Sequence, residues 1–253
     1  MSSFKTIIYE KQENRAYVTL NRPEVLNAYS IQMRDDLYEV LTAIRDDDEI
    51  RVAVVKGAGD KAFCAGADLN EFLTASSTIQ ARQIRFRRDL WKLFLTIPQP
   101  LIAALHGYVL GSGMEIAACC DIRIASEDAV FGLPEVGFGI IPGAGGTQTI
   151  PRIIGVPRAL EMMLTNRWLP STEAYQYGLV NRVVPRDKLF QTAEEMARHI
   201  AALNPQAVTK AKEAVVRGVD LPLAEALSLE KRLASECTVM TADKQRNHIE
   251  ENK

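Results

Sequence analysis

No stretch of this chain stays apolar for the roughly 18 residues that a bilayer span needs, so no membrane-spanning role is expected. Cysteine is scarce. The four thiols, Cys64, Cys119, Cys120 and Cys237, form no CxxC pair and offer no zinc-ligand spacing, so no metal is expected. They fit buried packing in a reducing compartment. The N-terminal MSSFKTIIYEKQENR has neither an apolar signal core nor an Arg/Ser-rich transit pattern, and the expected location is cytoplasmic. Net charge is also lacking: at −2 there is no bulk attraction to nucleic acid or to an anionic membrane. Internal repeats, low-complexity segments and long polar linkers are absent. At 253 residues the chain is expected to form one large domain, or one with a small appendage.

What is present is an alternation of strands and helices followed by helix after helix. Segments 5–10 and 16–20 read as a hairpin. Ser30 can cap a helix on which Leu37, Val40, Leu41 and Ile44 follow the 3.6-residue period, ending in the acidic turn Asp46, Asp47 and Asp48. Segments 51–56 (RVAVVK) and 101–105 (LIAAL) carry unbroken apolar runs, as strands buried on both faces do. A helix is expected over 77–95 and another over 112–120, with short strands at 121–126 and 129–133. Beyond Gly145 come helices from 145 to 154, from Ser171 to a stop at Gly178, and over 188–203, 205–219 and 222–240. There only 179–184 is strand-like. A β/α core with a helical C-terminal part follows.

Two glutamates stand out. Glu115 lies in HGYVLGSGMEIAACCD (106–121) and Glu135 in FGLPEVGFGIIPGAGGTQ (131–148), each beside a glycine-rich turn. A carboxylate among apolar neighbours such as Met114, Ile116, Pro134 and Val136 is costly unless something pairs with it. Two of them aimed at one cavity make an acid/base pair, and bare N–H groups on the adjacent turns suit a developing oxyanion. Proton transfer next to a carbonyl is the chemistry these residues point to.

Other motifs are weaker. Residues 57–62 match GxGxxA after a strand, but Phe63-Cys64-Ala65-Gly66 continues as a small-residue turn, with no helix to face a pyrophosphate. In AFCAGADLNEF (62–72), Ala65, Gly66 and Ala67 read either as a close-approach surface with a free N–H or as a tight turn packed in the core. Ser112 with His106 and Asp121 would suit a serine hydrolase, yet Leu110 and Met114 stand where a nucleophile elbow needs glycine. GAGGTQ (143–148) lacks the Lys-Ser/Thr of a phosphate loop and reads as a turn opening a helix. Arg82, Arg85, Arg87, Arg88 and Lys92 read as a solvated helix face in preference to a nucleic-acid or phosphate grip, with Ile84, Leu90 and Trp91 turned inward.

Together these segments resemble the crotonase, or enoyl-CoA hydratase/isomerase, superfamily. NRPEVLNAYSIQM (21–33), AFCAGADLNEF, HGYVLGSGMEIAACCDIRIAS, FGLPEVGFGIIPGAGGTQTIPRIIG and YGLVNRVVP (177–185) recur in order over most of 15–240. The resemblance implies an α/β fold: a spiral of ββα turns with the active site over 1–190, and a helical trimerisation region over 191–253. It implies a homotrimer or a homohexamer built as a dimer of trimers. Its substrate would be an acyl-CoA thioester, with no separate cofactor because coenzyme A belongs to the substrate. It places oxyanion donors at the N–H groups of Ala67 and Ser112 and catalytic carboxylates at Glu115 and Glu135. Coenzyme A contacts fall on Ala65, Ala67, Asp68, Leu69, Asn70 and Ser112, and a water-holding backbone on Gly143. Both glutamates together imply hydration; an isomerase or dehydratase of the same superfamily, or a non-catalytic coenzyme A- or RNA-binding relative, is the alternative. The acyl tail is expected between 72–95 and Phe138. Three departures stand out: Ser112 in a turn that is usually all glycine, Asn70 where some members carry lysine, and the end ADKQRNHIEENK (242–253) without a basic-aromatic tail. Arg82, Arg85 or Arg88 is the expected replacement for the missing lysine charge.

Overall fold

The computed structural model describes residues 4–72 and 88–237. Most of the expected helix 77–95, with Ile84, Arg82, Arg85 and Arg87, lies outside the described residues, as does 242–253. The chain divides into two compact units, Met1–Ala201 and Ala202–Lys253.

The first unit opens with the hairpin β1 (Ile7–Gln12) and β2 (Arg15–Leu20), paired from Ile7↔Leu20 to Gln12↔Arg15. The first strand starts two residues later than expected from the sequence. The N–H groups of Lys5 and Thr6 donate to Asp36 Oδ2 at 3.1 and 2.9 Å instead of joining a ladder. Asp36 sits on α1 (Ile31–Asp46), where the Ser30 hydroxyl accepts from Met33 N at 3.1 Å, the expected cap. Met33, Leu37, Val40, Leu41 and Ile44 form its buried stripe.

Three strand pairs then build the spiral: β3 (Val52–Gly57) with β4 (Ala62–Cys64), β5 (Leu101–Leu105) with β6 (Tyr108–Leu110), and β7 (Ile122–Ser126) with β8 (Val130–Gly132). The first member of each pair joins a six-stranded sheet, β1-β2-β3-β5-β7-β10, that is parallel except for the hairpin. The second member joins a smaller sheet, β4-β6-β8-β9, with β9 (Leu169–Pro170) antiparallel to β8. α2 (Leu69–Phe72) and α3 (Leu90–Thr96) follow the first pair, and α4 (Ser112–Cys119) follows the second. The expected helix over 77–95 is not continuous: Asp89 leaves helical geometry and caps α3 by accepting from Lys92 N at 2.9 Å. After the third pair come α5 (Gly146–Ile154), α6 (Val156–Thr165), α7 (Ser171–Gln176), β10 (Arg182–Val184) and α8 (Leu189–Ala202).

The strand expected at 179–184 shrinks to Arg182–Val184 because Asn181 leaves the ladder: its side-chain oxygen accepts from Arg123 N at 2.8 Å and its own N–H donates to Arg123 O. Burial on both faces explains the unbroken apolar runs of β3 and β5. Ala53, Val55, Leu101, Ala103 and Leu105 face the side of α1. Val52, Val54, Ile102 and Ala104 pack under Leu189, Ala193, Ala197 and Ala201 of α8.

In the second unit the described residues hold a helix pair, α9 (Pro205–Gly218) and α10 (Leu223–Glu236). Asn204 caps α9 by accepting from Ala207 N at 3.0 Å, and Gln206 Nε2 donates to Glu236 O at 2.6 Å. Leu229 and Leu233 are buried, while Val215, Val219, Leu223 and Leu227 are exposed.

Candidate active site

α4 organises the site. It starts at Ser112 after Gly111, whose φ of +51° belongs to the left-handed region that glycine tolerates. A Cβ on Gly111 would stand 2.9 Å from Glu135 Oε1 and 3.4 Å from the Cα of Gly66. The Glu135 carboxylate and the Gly66 backbone thus approach the same end of α4. Glu135 itself sits, half-buried, on a 3₁₀ turn over Pro134–Phe138.

Glu115 occupies the first turn of α4 and is 2% exposed. Its Oε1 accepts from Ala144 N at 2.8 Å and Gly146 N at 2.9 Å. These N–H groups belong to the turn that opens α5, where unpaired donors and the positive end of the helix dipole favour an anion. Because both partners can only donate, Oε1 accepts with lone pairs, and any proton on the group resides on Oε2. Gly146 must be bare: a Cβ there would meet Glu115 Oε1 at 2.9 Å and the Cβ of Pro142 at 2.8 Å. GAGGTQ therefore anchors Glu115 as well as opening a helix, a link across 31 positions that the sequence concealed.

The segment 65–71 forms the facing wall. Ala65 N donates to Leu26 O, Tyr29 N to Gly66 O and Asp68 N to Tyr29 O, at 3.0, 2.8 and 2.8 Å. This one-residue parallel bridge between Tyr29 and Ala67 turns the Ala67 N–H away from Tyr29. The N–H groups of Ala67 and Ser112 have no acceptor among the described residues. Asp68 is engaged by Arg22, whose guanidinium reaches Oδ2 at 3.0 Å and Ala28 O at 2.7 Å. Leu69 is exposed, and Asn70 N donates to Asp68 Oδ1 at 3.2 Å. Glu71, not singled out from sequence, binds Ile31 N at 2.6 Å and so locks this wall to the start of α1. Asn27 ties in from behind, donating to Ala58 O and Ala62 O at 2.9 and 2.8 Å. Gly143 is exposed one residue before Ala144.

The rival motifs separate in space. After Gly57 the chain enters strand β4 with no helix, so the GxGxxA match has no dinucleotide context. Asp121 binds Leu101 N at 2.7 Å, at the start of β5, while His106 follows the end of that strand. Five strand residues at about 3.3 Å each hold those two members of a hydrolase triad apart. Arg88 pairs with Glu39 at 2.7 Å and lies over the Tyr38 ring, so its charge serves α1. Arg123 is a supporting residue the sequence concealed. Buried beneath α4, it donates to Leu179 O at 2.6 Å and to the carbonyls of Cys120 and Ala117. A cation on the last carbonyls of α4 steadies the helix that carries Ser112 and Glu115.

Burial raises the thiol of Cys64, behind this wall, to about 11, and that of Cys119 higher. Among the described residues no group of three His, Cys, Asp or Glu side chains is placed to hold a metal ion. No described helix is long and apolar enough to cross a membrane.

The parallel spiral of strand pairs with intervening helices is the crotonase fold. The family model for enoyl-CoA hydratase/isomerase matches residues 10–250, and the chain belongs to that family of enzymes. A putative enoyl-CoA hydratase/isomerase of Bacillus subtilis is 43% identical, over 92% of this chain and 90% of its own. A short-chain-enoyl-CoA hydratase of Clostridium acetobutylicum is 40% identical, over 91% and 88%. The crystal structure of an enoyl-CoA hydratase from Bacillus anthracis superposes with a TM-score of 0.88 at 41% identity, covering 91% of this chain and 90% of that one.

Proposed function

We propose that this enzyme adds water reversibly and with syn geometry across the double bond of a trans-2-enoyl-CoA, giving a 3-hydroxyacyl-CoA. The observation that carries the proposal is the placing of both carboxylates at one helix start whose Ser112 N–H lacks an acceptor. The thioester carbonyl oxygen lies between the N–H groups of Ala67 and Ser112. Drawing electron density onto that oxygen makes C3 electrophilic, and losing one such donor costs about 3–4 kcal/mol of barrier. Glu115 takes a proton from water as its oxygen bonds to C3. Oε1 stays committed to Ala144 and Gly146, so the proton goes to Oε2. Glu135, protonated beforehand, gives its proton to C2 as the enolate collapses. The two acids exchange roles in dehydration, so atoms and charge balance in both directions.

The coenzyme A portion runs along Ala65 to Asn70, and Gly143 lies beside the attacking water. No resident cofactor is required. Exposed Val136, Phe138, Ile141, Leu160 and Leu164, several of them around a cavity of about 520 Å³, support assembly as a trimer or a dimer of trimers. Four free thiols suit a cytoplasmic setting.

Purified protein should remove the conjugated absorbance of short trans-2-enoyl-CoAs and incorporate one solvent oxygen at C3. Conversion of 3-enoyl-CoA to 2-enoyl-CoA without oxygen incorporation would instead identify an isomerase. Binding of acyl-CoA with no turnover of either would identify a scaffold.

A further inference from the structure

The Ser112 side chain has no role in the chemistry above, and its situation is unusual. Ser112 is 8% exposed, and its hydroxyl makes no hydrogen bond with any described residue. Although the residue is largely buried, the hydroxyl oxygen itself keeps accessible surface, so a ligand atom can reach it. It does not cap its helix. The N-cap is Gly111, with no side-chain cap bond, and Ser112 is already the first helical residue of an eight-residue helix.

Its direction follows from helix geometry. The Cα–Cβ bond of a helical residue tilts toward the N-terminus, so the hydroxyl stands at the same end as the unpaired N–H groups of the first turn. The neighbouring residue on that side, Gly111, lies against the Glu135 carboxylate and the Gly66 backbone. A reachable donor without a protein acceptor, at the end of α4 where an anion is favoured, suits an oxygen-bearing ligand.

We propose that the Ser112 hydroxyl donates a hydrogen bond to the carbonyl oxygen of the bound acyl thioester, beside its own N–H, as a side-chain member of the oxyanion site. This rests on the hydratase assignment for its substrate. The serine is a donor only: no bond to it forms or breaks, and its proton stays on Oγ while charge grows on the thioester oxygen. The added donor acts mainly in the transition state, so its removal lowers kcat and leaves KM nearly unchanged.

The test uses full-length Ser112→Ala and Ser112→Gly beside wild type. Three readouts are taken: kcat and KM on crotonyl-CoA, the melting temperature, and the absorbance shift of a bound chromophoric, non-hydrating cinnamoyl-type thioester. The proposal expects both variants to fold, to lose about 10²-fold in kcat with KM within about threefold, and to show a smaller red shift of the bound chromophore. Unchanged kcat with an unchanged shift in either variant overturns it, as does faster turnover in Ser112→Gly, which would mark the side chain as an obstruction. A wild type that binds the chromophore but hydrates nothing would defeat the hydratase assignment alone. The shift in wild type against the variants would still decide the hydroxyl contact.

Discussion

In the proposed mechanism Glu115 and Glu135 serve one step from opposite sides, and their replacement tests it. Glu115→Gln and Glu135→Gln are each expected to lower kcat by at least about 10²-fold, and the double variant to fall well short of the product of the two losses. Gly146→Ala tests the anchor of Glu115. A methyl group 2.9 Å from Oε1 must displace the carboxylate, so kcat should drop by about 10²-fold while binding of a 3-hydroxyacyl-CoA is largely kept. Thiol labelling reads the interior behind the site. With the Cys64 thiol raised to about 11 by burial, only about one molecule in a thousand carries its thiolate at pH 8. Native protein should therefore label at Cys237, the half-buried thiol, and at Cys64 only after unfolding. The glutamates drew notice in the sequence because a carboxylate among apolar residues and glycines is a local signal. Their partners were not. Ala144 and Gly146 meet Glu115 only through the fold, and Arg22 reaches Asp68 across 46 positions.

Among the elements, α1, β5 and α4 were readable from period, cap and apolar runs. The three-residue strands β4 and β6 were not, since so short a segment shows no alternation and is defined by its ladder partners. α4 is pinned at its far end by Arg123, whose guanidinium, its pKa pulled down by burial, holds the carbonyls that end the helix. Arg123→Met should cost about 2–4 kcal/mol in denaturant unfolding, because buried carbonyls lose a charged donor. α8 is tied to the large sheet through Glu194, which accepts from the Tyr17 hydroxyl and from Arg198 Nε at 3.0 Å. Burial pushes the Glu194 carboxyl upward, but the bonds from Tyr17 and Arg198 and the charges of Arg15 and Arg198 outweigh it and hold the group below its ordinary 4.5. A lowered acid stabilises the fold above its unfolded-state pKa and loses that contribution as pH falls through the folded value. Wild type should thus exceed Glu194→Gln in Tm at pH 7, with the gap closing below about pH 4.5.

At the scale of the molecule, the spiral brings the wall 65–71, the start of α4 and the turn 143–146 together, although they lie far apart in the chain. Exposed Val136, Ile141, Leu160 and Leu164 of the first unit line one cavity, an apolar surface of the kind that a second copy would cover in the proposed assembly. Light scattering on the purified chain should give three or six times 28.1 kDa, and a monomer at micromolar concentration would remove the proposed assembly.

The central claim is that Glu115 and Glu135 act on one alkene, and hydration of crotonyl-CoA in deuterium oxide tests it most directly. Wild type should place oxygen at C3 and a single deuteron at C2 on the same face, and each Gln variant should do so at least about 10²-fold more slowly. Wild-type turnover in either variant, or addition across opposite faces, would contradict the account.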